Sequence, residues 1–355
     1  MKSTEFCSRL NLQVPIIQAP MAGVSTPAMA ASVSTSGGLG SLGVGAATVD
    51  GARAMIQEAQ SLTDGFINAN VFCHRPARAD EGLDAAWLER LEVEFASFDA
   101  TPPPSLSEIY DIFVGNKEMT AMLLETRPGV ISFHFGLPTP EQISAFKSQG
   151  TYLIASATNL DEARLAESAG MDAIVAQGWE AGGHRGCFDE NAPDDRHGTI
   201  ALTRILVRES KLPVIAAGGI MDGAGVRAAL SLGAAAVQLG TAFVACEESS
   251  ANEAYRKALL GDPAKHTVMT RVISGRPARC LQNRFTRWGQ DVSDADVPDY
   301  PRTYDAGKSL NSAASAKGEG GYGAQWAGQG APLARSLPAH ELMSALKAEL
   351  AESSM

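Results

Sequence analysis

The chain has 355 residues, 45% hydrophobic and 19% charged, with a formal net charge of −11. That balance excludes a disordered chain and leaves no Lys/Arg stripe for nucleic acid or an anionic membrane surface. No run approaches the ~18 apolar residues of a membrane span, and Met1–Phe6 form no apolar signal segment. The five cysteines (Cys7, Cys73, Cys187, Cys246 and Cys280) have no C-x-x-C spacing. They read as reduced thiols in the cytoplasm, with no metal site.

Eight short apolar runs follow one another along the chain, most of them leading into a helical pattern. They are Pro15–Ala19, Gly38–Gly43, Phe66–Phe72, Val130–Phe135, Tyr152–Ala157, Asp172–Ala176, Pro213–Ala217 and Ala235–Leu239. Runs that do not alternate are strands buried on both faces, as in a parallel sheet covered by helices. Between them, Leu160–Ala169 reads as a helix closed by Gly170, and Asp222–Leu232 as one closed by Gly233. Eight β-α repeats in this order predict an α/β fold, a TIM (β/α)8 barrel. Gly38-x-Gly40-x-x-Gly43 with Glu58 matches a dinucleotide fingerprint. Its glycines lie inside the second strand rather than after it, so that reading is set aside.

Two intervals exceed a plain barrel. His74–Gly129 is too long for one helix and contains the rigid Thr101–Pro104 connector, and Glu247–Ala334 is rich in Arg, Asp, Tyr, Gly and Ser. The expected organisation is a barrel from residues 1–73 and 130–246. Segments 74–129 and 247–334 would form a smaller covering domain over its C-terminal mouth. In 335–355 an amphipathic helix, near Ala339–Glu352, would pack back onto the barrel. Ser309–Gly323 reads as a flexible lid or an extended crossing.

Catalytic groups of such barrels sit at the C-terminal strand ends. Here those ends carry amides (Gln18, Asn70, Gln177 and Gln238), each a donor and an acceptor suited to the edge of an isoalloxazine ring. Strands seven and eight end in Gly218-Gly219 and Gly240-Thr241, the first opening a helix at Asp222. Such a pair makes a phosphate cradle that needs no lysine or arginine. After strand six comes Gln177-Gly178-Trp179-Glu180-Ala181-Gly182-Gly183-His184-Arg185-Gly186. This glycine-rich loop can lie against a flat ligand, and His184 is a candidate for proton handling. Cys187 reads as a passive small residue beside it.

Taken together, Met21-Ala22-Gly23, Asn70-Val71-Phe72, His134-Phe135-Gly136, Ala181–Gly186, Ala217–Ile220, Gln238–Thr241 and Trp326–Gly330 resemble the nitronate monooxygenases, formerly 2-nitropropane dioxygenases, of the bacterial class I branch. The resemblance runs from about Pro15 to Leu350. It implies oxidation of alkyl nitronates, propionate 3-nitronate in type, by O2 to a carbonyl product and nitrite or nitrate. It also implies FMN contacted by Met21, Asn70, Gln177, Gly182, Gly219, Gln238, Leu239, Gly240 and Thr241. His184 would stand by the flavin as an acid/base or electrostatic residue, with His134 facing it. Tyr110, Tyr255, Tyr300, Tyr304 and Lys308 resemble the cluster that closes over a small anionic substrate. The oligomeric expectation is a monomer or weak homodimer.

The nearest competing reading is an FMN-dependent NAD(P)H oxidoreductase, an enoyl-thioester or quinone reductase, which shares the Gly-Gly-His loop. A flavin-free phosphate-metabolite barrel lacks its strand-end lysine or clustered carboxylates here. A binding protein would not need so many polar strand ends.

Overall fold

The computed structural model describes residues 2–352. Its strands β1 (Ile16–Gln18), β2 (Gly40–Gly43), β3 (Ile67–Phe72), β4 (Val130–His134), β5 (Tyr152–Ala157), β6 (Ala173–Gln177), β7 (Val214–Ala217) and β8 (Ala236–Leu239) follow the apolar runs closely. From β2 onward each strand pairs in parallel with the next. β8 pairs with β1, Val237 opposite Ile16. One parallel bridge, Ile17 to Leu39, closes the ring between β1 and the entry to β2. The fold is a TIM barrel.

Two apolar layers hold it. Ile17, Leu39, Ile154, Val175 and Ile215 share one buried cluster with Phe6 and Leu10 of the N-terminal region. Strands and surrounding helices share another, including Leu42, Val71, Phe133, Leu153 and Leu206. The outer helices have the ends their sequences encode. Asn159 accepts from the Glu162 amide at 2.9 Å, and Gly170 closes Leu160–Ala169 in the left-handed region at φ 89°.

The long interval after β3 divides in two. Lys117–Thr126 packs between the barrel helices Val49–Leu62 and Pro140–Ser148. It is therefore the crossover helix that a parallel β3–β4 pair requires. Helix Glu81–Ala96 and the chain around it form the first cover instead. The second interval contributes β9 (Thr267–Thr270), β10 (Ala278–Leu281) and helix Arg302–Ala316. The stretch expected as a lid or extended crossing is thus mostly helix. Thr303, Ala306, Leu310 and Ala314 are buried at helical spacing, which its Ser/Ala/Gly composition obscured.

The two covers share an apolar cluster that includes Trp87, Leu91, Phe95, Ile273, Phe285, Leu310 and Tyr322. Charged pairs cross the same seam. Arg78 meets Asp299 at 2.9 Å, Arg90 meets Asp296 at 3.2 Å, Lys317 meets Asp99 at 2.8 Å, and Arg302 holds Asp84. Helix Ala339–Glu352 lies against the barrel helices Gly223–Ser231 and Pro27–Thr35. No helix among the described residues is long and apolar enough to cross a membrane.

Candidate active site

A cavity of about 390 Å³ opens at the C-terminal end of the barrel, beneath the covers. Every expected site residue except Gln18 and Leu239 lines it. That is Met21, Asn70, Gln177, Gly182, Gly219, Gln238, Gly240 and Thr241 from the barrel, His134 and His184, and Tyr110, Tyr255, Tyr300, Tyr304 and Lys308 from the covers. Leu239 is fully buried in an apolar cluster, and its carbonyl accepts the Ala19 amide. Its place in the strand register turns its side chain away from the mouth.

The His184 loop is held from three sides. Gly183–His184 forms a short strand antiparallel to β10, His184 opposite Ala278, so a cover strand fixes its backbone. Gln177 on β6 donates to the His184 carbonyl at 2.9 Å and accepts the Gly186 amide at 2.7 Å. His134 Nε2 lies 3.2 Å from the same carbonyl, and its Nδ1 lies 2.9 Å from Ser156 Oγ. A carbonyl only accepts, so Nε2 carries the proton and Nδ1 takes the serine hydroxyl. At Gly186 an added Cβ would lie 2.7 Å from the His134 ring, which explains the glycine.

These bonds change three expected roles. Both ring nitrogens of His134 are engaged within the protein, so it supports the loop rather than offering a polar atom to a ligand. Both ends of the Gln177 amide are likewise engaged. Gln18 lies inside the barrel rather than on the cavity, donating to Ser25 Oγ at 2.9 Å and accepting the Ser41 amide at 2.8 Å. By contrast, the Gln238 side chain has no hydrogen-bond partner among the described residues and lines the cavity. Asn70 donates to Ser132 Oγ at 2.9 Å, and its Oδ1 has no partner among the described residues.

His184 Nε2 lies 2.9 Å from Ser274 Oγ. Its ring packs against Tyr300 (5.3 Å between centroids), Trp326 (5.0 Å) and Phe135 (5.7 Å). Burial, then the nearby His134, Arg276 and His74, pulls its pKa down to about 3. Burial lowers His134 to about 4. Both imidazoles are therefore neutral at physiological pH. Phe135 takes a left-handed backbone, φ 73°, which swings its ring beneath this group and over the buried Arg276 guanidinium at 4.2 Å.

The covers add hydroxyls and a cation. Lys308 Nζ sits 4.8 Å from the Tyr110 ring centre and 5.4 Å from that of Tyr304. Lys308 and Tyr304 share helix Arg302–Ala316, the lysine one turn beyond the tyrosine. Burial lowers the lysine pKa and raises those of Tyr110 (to about 12), Tyr300 and Tyr304, so all three phenols keep their protons. The Tyr255 hydroxyl is committed to the Trp326 carbonyl and holds the Trp326–Gly330 segment.

At the cradle, Gly218 and Gly219 both have positive φ (126° and 69°). Among the described residues the amides of Gly219, Gly240 and Thr241 reach no acceptor. The helix opening at Asp222 does not join them. Asp222 caps the Gly225 amide at 2.8 Å, and Glu349 takes the Gly223 amide at 2.8 Å. Two of its N-terminal amides are thus already taken by carboxylates.

Residues 4–349 match the nitronate monooxygenase family. The chain belongs to that family. It is 60% identical to the nitronate monooxygenase of Paraburkholderia phytofirmans, over 97% of this chain and 94% of that protein. To that of Pseudomonas aeruginosa it is 52% identical, over 97% and 98%. Among solved structures, the nitroalkane oxidase of Streptomyces ansochromogenes superposes with a TM-score of 0.89 at 39% identity, covering 97% of each chain. FabK from Thermotoga maritima superposes with a TM-score of 0.75 at 28% identity, covering 99% of this chain and 96% of that one. The protein is thus an oxidoreductase of the nitronate-oxidising, flavin-dependent kind. Some residues of the site had no signal in the sequence. Ser274, Arg276 and His74 lie in covering segments, and only folding brings them to the histidine loop.

Proposed function

We propose that this enzyme oxidises short alkyl nitronates, propionate 3-nitronate in type, with O2, using FMN held at the mouth of the barrel. One observation carries the reading. A single cavity joins barrel amides that no described residue occupies to a lysine and three protonated tyrosines from the covers, with neutral His184 on its wall.

The donor set suits FMN. The amides of Gly219, Gly240 and Thr241 would hold the phosphate, a dianion the chain otherwise meets with no basic cluster. Gln238 and Asn70 Oδ1 would pair with the polar edge of the ring, and Met21 and Gly182 would pack on it. When bound, the flavin would take electrons from the nitronate and deliver them to O2. Lys308 would bind a substrate carboxylate or nitronate oxygen, because an arriving anion offsets the desolvation of the ammonium. Tyr110, Tyr300 and Tyr304 would donate to the remaining oxygens. The covers would exclude water and strengthen each of these contacts. All of these groups come from one chain, so a monomer or weak homodimer suffices. The five free cysteines support a reducing, cytoplasmic compartment.

The test is an anaerobic absorbance titration of the purified holoenzyme with propionate 3-nitronate in one cuvette and NADH in another. Bleaching by the nitronate is expected. Reduction by NADH alone would overturn the proposal in favour of a reductase of the FabK type. A preparation that takes up no FMN would overturn the cofactor assignment.

A further inference from the structure

The hydrogen bond between His184 and Ser274 determines more than the placing of a ring. Ser274 is fully buried, and its hydroxyl lies 2.9 Å from His184 Nε2 and 3.3 Å from the Arg276 carbonyl. A hydroxyl has one proton, so it can donate to only one of these. If it donates to Nε2, the buried Arg276 carbonyl has no donor, because no other donor among the described residues reaches it. If it donates to the carbonyl, its own oxygen accepts from an Nε2–H, and all three groups are satisfied. Leaving a buried acceptor unpaired is disfavoured, so the second arrangement wins.

The other ring nitrogen completes the argument. His184 Nδ1 has no hydrogen-bond partner among the described residues, yet it is not a buried orphan atom, and the residue lines the cavity. We propose that Ser274 is a positioning residue that fixes His184 in the Nε2–H tautomer, so that Nδ1 presents a lone pair to the substrate cavity. The imidazole then meets its ligand as an acceptor rather than a donor. His134, fixed in the same tautomer by Ser156 and the His184 carbonyl, holds the backbone while Ser274 holds the ring. In the Nδ1–H tautomer His184 would instead donate to a nitronate oxygen. Ser274 therefore chooses between the two roles open to this histidine in the proposed reaction. The inference rests on that reading only for its consequence in catalysis. The tautomer itself is independent of any substrate.

The direct measurement is 15N NMR of the flavin-loaded holoenzyme labelled at histidine, with the His184 signals assigned by their loss in His184→Asn. A protonated Nε2 and an unprotonated Nδ1, unchanged between about pH 6 and 8, are expected. A protonated Nδ1 in the wild type would overturn the proposal whatever substrate the enzyme takes. Ser274→Ala is then expected to bring a second tautomer into the spectrum. It should lower kcat on propionate 3-nitronate by about tenfold or more, with KM little changed. A Ser274→Ala holoenzyme that keeps the wild-type tautomer would refute the role given to the serine. So would one with full kcat.

Discussion

The floor and the cover of the cavity are built on different physics. The floor is a parallel barrel whose strands are buried on both faces. It presents uncharged donors and acceptors (backbone amides, Gln238, Asn70 and the neutral His184 imidazole) on backbone tied into the sheets. The cover presents the lysine and the phenols, and charged pairs such as Arg302–Asp84 and Arg78–Asp299 cross its seam. A pre-formed floor suits a ligand that stays, whereas a charged cover suits one that arrives as an anion and leaves. Affinity for cofactor and affinity for substrate should therefore respond to different perturbations.

His184 belongs to both layers, and its replacement should have the largest effect. His184→Asn is expected to keep FMN at full occupancy and to lower turnover about 100-fold or more. Undiminished turnover in steady-state kinetics with a filled site would remove it from the mechanism. Next in size are two substitutions that should separate the layers. Lys308→Met is expected to raise KM for propionate 3-nitronate about tenfold, since hydrogen bonds to charged groups contribute roughly 1.5–3 kcal/mol. KM for ethyl nitronate, which lacks the carboxylate, should hardly move. Equal increases for both substrates would mean that the lysine does not read the carboxylate. Gly218→Val should do the reverse. Its Cβ would meet Thr199 Oγ1 at 2.6 Å, at a φ of 126° that valine resists. FMN affinity, followed by flavin fluorescence, should fall about tenfold or more, with unchanged substrate KM in the fraction that remains loaded.

The histidines set a pH dependence with a definite sign. His74 and His134 are lowered to about 4 and His184 to about 3, in each case chiefly by burial. Their unfolded value is near 6.5. A folded pKa below the unfolded one means that below about pH 6.5 the unfolded chain binds more protons than the native one. Stability is fully present above that pH and is lost as pH falls towards 4. Thermal midpoints should therefore fall from pH 6.5 to 4.5, and Phe in place of His74 should flatten that slope. A Tm independent of pH over this window would show that these rings are hydrated. The smallest effect concerns the seam. At about 1 M salt, where the screening length is ~3 Å, KM should rise no more than a few-fold and flavin should stay bound. Exposed pairs contribute about 0–1 kcal/mol each, and the shared apolar cluster remains.

Much of the floor was legible because its signals are local. A strand such as Tyr152–Ala157 is a continuous apolar run, and Gly170 or Gly233 marks a helix end on its own. The strand-end residues followed from the barrel rule. Less legible was anything decided by a partner distant in sequence. The Gln177 and His134 polar atoms are consumed by the His184 and Gly186 backbone, which spacing alone does not reveal. Glu349 neutralises a helix start more than a hundred residues earlier. Ser274 and Arg276 sit in a segment whose sequence looks like an ordinary turn. The Ser/Ala/Gly composition around 309–316 concealed a helix whose small residues let it pack closely under the first cover.

The three-stranded sheet that contains His184 has a consequence for how such a protein could be trimmed. Two of its strands come from residues 267–281 and the third is the histidine's own loop. The later insertion is thus a splint for His184 as well as a roof. A chain trimmed to the eight repeats would keep only the barrel side of that support, the bonds from Gln177 and His134 to the His184 carbonyl. Removing the later insertion would thus loosen the His184 backbone even where the eight-stranded ring stays closed.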